Sequence, residues 1–178
     1  QGRGLEGLAT FGAWLGAWQG SPDVDALLGR VRRLTAALLA QFRAARAQYG
    51  GHMYFTMLPD GMPITVDERQ RQLRVAMGPE APHNFSDLFA AKGMLAAAHF
   101  LGNEVALDEA RAYCRAVYED IHRLRFLTDQ PQPAGLASVV STAGGFAHGP
   151  YMIALGMATH FARQESGPAS VEMGLRLA

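Results

Sequence analysis

Cysteine is nearly missing from this 178-residue chain: Cys114 is the only one. An intramolecular disulfide is therefore excluded, and so is a cysteine metal cluster. That usage suits a reducing compartment, and the expected location is cytoplasmic. Net charge is missing too, since 16 Lys and Arg balance 16 Asp and Glu. A balanced chain gives no electrostatic footprint for nucleic acid or an anionic lipid surface, so neither is expected as a partner. No apolar run reaches the roughly 18 residues that a bilayer span requires, and no signal peptide is recognisable. The histidines at 52, 83, 99, 122, 148 and 160 show neither HxxxH nor HExxH spacing, so no metal site is expected. "GLASVVSTAGG" lacks the lysine of a phosphate loop, and no cofactor is expected.

What is present is apolar sequence, 49% of the chain. That is enough for one globular domain, residues 1–178, with a real core. Gly4 to Trp18 has a single formal charge, Glu6. Gly20 ends that stretch. Ser21 then offers an N-cap, Pro22 a first helical position and Asp23 a charge suited to the positive end of the helix dipole. An amphipathic helix follows to about Ala47, apolar along Val24, Leu27, Leu28, Val31, Leu34, Leu38 and Phe42 and rich in arginine on its other face. Residues 85–101 repeat the pattern, with Asp87 and Lys92 the only formal charges. Gly102 and Asn103 stop and restart the chain into an amphipathic helix over 104–123. A third apolar helix starts near His148 or Pro150 and runs to about Arg163, and Pro168 opens its partner. The segment 128–147 is a Pro- and Gly-rich connection.

Between the first two helix pairs, Tyr54, Phe55 and Met57 precede Pro59-Asp60-Gly61, and Ile64-Thr65-Val66 follow. This predicts a β-hairpin. Residues 67–83 show no pattern and read as a long loop.

One unit thus occurs three times: a nearly uncharged helix, a tight turn and an amphipathic helix. "AHFLG" at 98–102 and "THFAR" at 159–163 echo each other. A helix that is apolar all round must be buried on all sides. Alternation with half-buried helices gives two concentric layers. The expected fold is all-α, an α/α toroid with three helix hairpins and a small β-hairpin. On that model 4–18, 85–101 and 150–162 are the most buried helices. The start at Gln1 and an end inside "SVEMGLRLA" suggest a piece of a longer barrel.

"GHMYFTMLPDGMPI", "FSDLFAAKGMLAAAHFLGNEVALDEARAYCRAVYEDI" and "HGPYMIALGMATHFARQESGPASVEMGLRLA" resemble the N-acylglucosamine 2-epimerase superfamily. That group holds sugar 2-epimerases and aldose–ketose isomerases. The resemblance implies an (α/α)6 barrel of which this chain covers about half. It also implies a sugar as substrate, a site where the inner helices begin, and two histidines that exchange the proton at carbon 2. His148 stands at the place of one, although Tyr151 follows three residues on where the family pattern has Glu. The second histidine would come from a later repeat, supplied by the rest of the barrel or by a homo-oligomer partner.

Proton abstraction beside a carbonyl needs a base within about 3 Å of the proton, and a histidine suits neutral pH. His148, preceded by the flexible "AGGFA", is the candidate. Asp87, three residues after Asn84, either bonds back to that cap or faces substrate, as a sugar contact or as the acid of a glycoside hydrolase. The two readings stay open. Glu6 with Arg3 forms a second polar pair near the rim. Tyr54, Phe55, His83 and Tyr151 are candidate walls for a sugar ring. Lys92, deeper in its helix, reads as a partner for a carboxylate across the ring. A helical-repeat scaffold without catalysis is the reading from another class.

Overall fold

The computed structural model describes residues 2–60, 62–66, 72–73, 78–127, 148–164 and 172. The expected helix from Pro168 lies outside them, residue 172 apart, as does the whole 128–147 connection. Helix boundaries follow the local chemistry. α1 is Gly2–Gly16 and α2 is Pro22–Gln48. Ser21 occupies the N-cap of α2 in extended conformation, but its side chain makes no capping bond. Asp25 turns back instead and accepts from the Gly20 N–H at 3.3 Å. α3 is Phe85–Leu101 and α4 is Glu104–His122. Between them Gly102 adopts φ 66°, a left-handed C-cap, and Asn103 accepts from the Ala106 N–H at 3.0 Å. α5 is His148–Gln164.

The hairpin forms as β1 (Thr56–Met57) and β2 (Pro63–Val66), antiparallel, with Thr56 opposite Ile64. The stretch read as a patternless loop contributes β3 (Gln72–Leu73), antiparallel to β2. A two-residue strand is too short to show alternation, which is why the sequence did not signal it.

Helix directions come from the contacts. Gly2 of α1 lies against Phe89 and Ala90 of α3, and Gly12 against the Phe100 ring. Gly149 of α5 lies against Phe85 and Gly156 against Lys92. α1, α3 and α5 are therefore parallel. Arg43 meets Glu109 and Arg46 covers the Tyr113 ring, so α2 and α4 are parallel to each other as well. α3 packs against all four other helices, α1 against α2, and α4 against α5. α1 and α5 do not pack on each other among the described residues. The chain is mostly helical with a small antiparallel sheet.

α3 is the centre of the core. Leu88, Met94 and Leu95 are buried together with Ala90, Ala91, Ala96, Ala97 and Ala98. Burying each leucine contributes about 1.5–3 kcal/mol. The small residues let α1 come close: a Cβ on Gly93 would lie 2.5 Å from the Gly2 carbonyl oxygen. The three apolar helices do not share one burial level. α3 is enclosed, whereas α1 exposes Phe11 and Trp14, and α5 exposes Met152 and Leu155. The reason is position: α3 lies in the middle of the parallel layer and the other two are its ends. No described helix is long and apolar enough to cross a membrane.

Candidate functional site

The first turn of α3 is held by a reciprocal cap. The Asp87 N–H donates to Asn84 Oδ1 at 2.9 Å, and the Asn84 N–H donates to Asp87 Oδ2 at 3.0 Å. This is the cap allowed by the three-residue spacing. The same carboxylate reaches further. It accepts from the Met53 N–H at 2.6 Å and from the Tyr113 hydroxyl at 2.5 Å, and His52 Nδ1 lies 3.0 Å from Oδ2. Asn84 Nδ2 donates to the Met53 carbonyl at 3.1 Å. Both peptide groups of Met53 are thereby clamped to the start of α3. Asp87 is fully buried and its oxygens are occupied by four donors. It anchors the 52–55 segment to α3 and α4 and has no face left for a substrate. The bond back to the Asn84 cap, one of the two readings expected for Asp87, is present. Tyr113 is held neutral: burial, and then the neighbouring Asp87 charge, push its phenol well above the ordinary tyrosine value.

A second carboxylate binds the same region from α4. Asp120 accepts from the His83 N–H at 2.9 Å, lies 2.7 Å from His83 Nδ1 and pairs with Arg125. Burial opposes its ionisation, but the His83 backbone N–H, the His83 ring and the Arg125 guanidinium outweigh that and hold it below the usual carboxylate range. The His83 ring stands 5.2 Å from His52 and 5.8 Å from Tyr113. His83 is thus tied into the framework rather than set out as a wall. The Tyr151 hydroxyl donates to the Ile121 carbonyl at 3.2 Å and joins α5 to α4.

Above this framework lies an open cleft of about 460 Å³, bounded by Arg3, Met53, Tyr54, Phe55, Ser86 and Phe89. It sits where α1 and α3 begin, with the 53–55 segment as its outer wall. The Arg3 guanidinium covers the Phe89 ring at 4.2 Å. Tyr54 is mostly buried and packs edge-on against Tyr49 at 6.1 Å, whereas Phe55 is more than half exposed. His148 is exposed at the start of α5. The contact between Gly149 and Phe85 sets it at the same end of the layer as Asp87 and the cleft.

Glu6 is not paired with Arg3. It lies a turn deeper, where its Oε1 meets Lys92 Nζ at 3.0 Å and His160 Nε2 at 3.8 Å. Lys92 therefore has the carboxylate partner expected for it, on a neighbouring helix. Glu6 and His160 border a second cleft of about 460 Å³ with Thr10, His99 and Thr159. Among the described residues no group of three or more His, Cys, Asp or Glu could hold a metal ion.

Comparison with family models, curated proteins and solved structures finds no match to this chain. Sequence reasoning missed Ser86 and Phe89 on the cleft wall. Their signal was positional: one residue and four residues into a helix whose start forms the rim. It also missed His160, which only the packing of α1 and α5 on α3 brings to Glu6.

Proposed function

We propose that this chain is part of the wall of a carbohydrate-active α/α toroid, most like the sugar 2-epimerases and aldose–ketose isomerases. The parallel helices α1, α3 and α5 are the inner layer and α2 with α4 the outer one. Among the described residues the end helices α1 and α5 each keep apolar side chains exposed, Phe11 and Trp14 on one and Met152 and Leu155 on the other, as the end members of an arc do. The observation that carries the functional reading is the cleft where the inner helices begin. Phe55 and Phe89 offer ring faces to the apolar face of a sugar, while Arg3 and Ser86 offer donors to its hydroxyls. His148, exposed at the same end, is the proton-transfer group at carbon 2. Tyr54 supports the wall from beneath. Asp87 serves the site indirectly, by holding Met53 and so the segment that carries Phe55. A hydrolase using Asp87 as acid is not favoured, because both its oxygens are engaged by protein donors.

Saturation-transfer NMR with a panel of aldoses, 2-acetamido aldoses and 2-ketoses tests this. At least one sugar should bind, with contact weakened about tenfold or more by Phe55→Ala and by Arg3→Ala. Absence of binding by every sugar, or binding untouched by either substitution, refutes the assignment of the cleft.

A further inference from the structure

We infer that the deeper cleft between α1, α3 and α5 is a second ligand site, for a neutral polyhydroxylated molecule of monosaccharide size. Its floor is α3 and its walls are α1 and α5, whose backbones do not pack together among the described residues. Three inner helices line it with polar groups from different directions: Glu6 and Thr10 from α1, His99 from α3, His160 and Thr159 from α5, with Lys92 pairing Glu6 from α3. The volume of about 460 Å³ lies within the roughly 300–1,000 Å³ of small-molecule clefts.

A structural ion pair alone does not account for the arrangement. α3 is otherwise packed by alanine, leucine and methionine, and apolar side chains in place of both Lys92 and Glu6 would avoid the desolvation of two charges. The pair is instead kept partly open, with side-chain exposures of 18% for Lys92 and 24% for Glu6. Room is kept for the amine as well: a Cβ on Gly156 would stand 2.8 Å from Lys92 Nζ. Glu6 uses Oε1 for both Lys92 and His160, and its second oxygen takes part in neither contact. The ligand class follows from the charge pattern. Glu6 and Lys92 cancel, so an anion would face the carboxylate and a cation the amine. A hydroxyl both donates and accepts, and suits an alternation of carboxylate, imidazole and threonine oxygen. Thr159 Oγ1 already donates to the Leu155 carbonyl at 2.9 Å, which leaves its oxygen to accept. The choice of a sugar-like ligand rests on the carbohydrate reading of the rim; the site itself stands on its own geometry.

The test follows the imidazole NMR signals of the intact protein during titration with D-glucose, D-mannose, D-fructose and sorbitol. His160 and His99 report the deep cleft and His148 reports the rim. At least one probe should shift His160 and His99 in a saturable way. Glu6→Gln and Gly156→Ala should weaken that response about tenfold or more, while Phe55→Ala should leave it unchanged. Gly156→Ala is the folding-safe variant, since alanine favours the helix and the methyl meets only the flexible end of Lys92. Shifts confined to His148 overturn the deep site and leave the rim reading standing. Shifts at His160 that survive both substitutions overturn the role of the cluster. No shift at His160 or His99 with any probe overturns the deep site, and the rim reading is decided separately by the saturation-transfer panel.

Discussion

Replacing Asp87 with alanine should come close to unfolding the protein. The carboxylate receives the Met53 and Asn84 N–H groups, the Tyr113 hydroxyl and the His52 ring. All four partner residues are themselves buried. Removing the acceptor strands four polar groups, and each stranded group costs about 1–3 kcal/mol. The sum, about 4–12 kcal/mol, is an upper range because water can enter the vacated volume. Even its lower end is a large part of the roughly 5–15 kcal/mol that stabilises a domain. Tyr113→Phe gives the scale for one link, and should cost about 1 kcal/mol with three donors still on Asp87. Urea denaturation of the three proteins, compared by midpoint at equal m-value, measures this. Asp87→Ala should lose at least three times as much as Tyr113→Phe. An unchanged midpoint, or a more stable Asp87→Ala, would refute the anchor and mark a carboxylate held for chemistry at the expense of stability.

Gly93→Ala should destabilise by about 1–3 kcal/mol despite its better helix propensity, because its Cβ would press on the Gly2 carbonyl and force α1 from α3; a thermal melt that rises instead contradicts the close approach. Arg43→Ala should change the urea midpoint by less than about 1 kcal/mol, since the Arg43–Glu109 pair, at 2.6 Å, lies on the surface. Asp120 has a lowered folded-state pKa, so its contribution is present above the unfolded value of about 4 and is lost as pH falls below it; acid titration of Arg125→Gln should show a shallower loss than wild type. Tyr113 has a raised folded-state pKa, so stability is full below about pH 10 and declines above it, and Tyr113→Phe should lessen that alkaline loss in denaturation measured against pH.

The elements legible in the sequence were those governed by neighbours along the chain. Gly102 and Asn103 announce the α3–α4 turn because a left-handed cap and an N-cap are local devices. Asp87 was legible as a capping residue because its partner Asn84 is three residues away. Its other partners were not, since Met53 is 34 residues away and Tyr113 is 26. Only packing brings them together, and no periodicity encodes that. Lys92 signalled an ion pair by standing charged in an apolar helix, but only the axial offset of the helices selected Glu6. The same offset separates Glu6 from Arg3: adjacent turns of α1 face different levels of α3, Arg3 the Phe89 ring and Glu6 the Lys92 amine. The hairpin aromatics divide in a way alternation alone does not give. Tyr54 turns inward against Tyr49, and Phe55 is left at the cleft.

Proton transfer at carbon 2 is the central claim, and isotope exchange tests it most directly. The protein is incubated in heavy water with the sugar that binds the rim cleft, and loss of the carbon-2 proton signal is followed by NMR. The account predicts exchange above the buffer rate that falls about 10²-fold or more in His148→Asn. Exchange at the same rate in wild type and His148→Asn, or at the buffer rate in both, would contradict it.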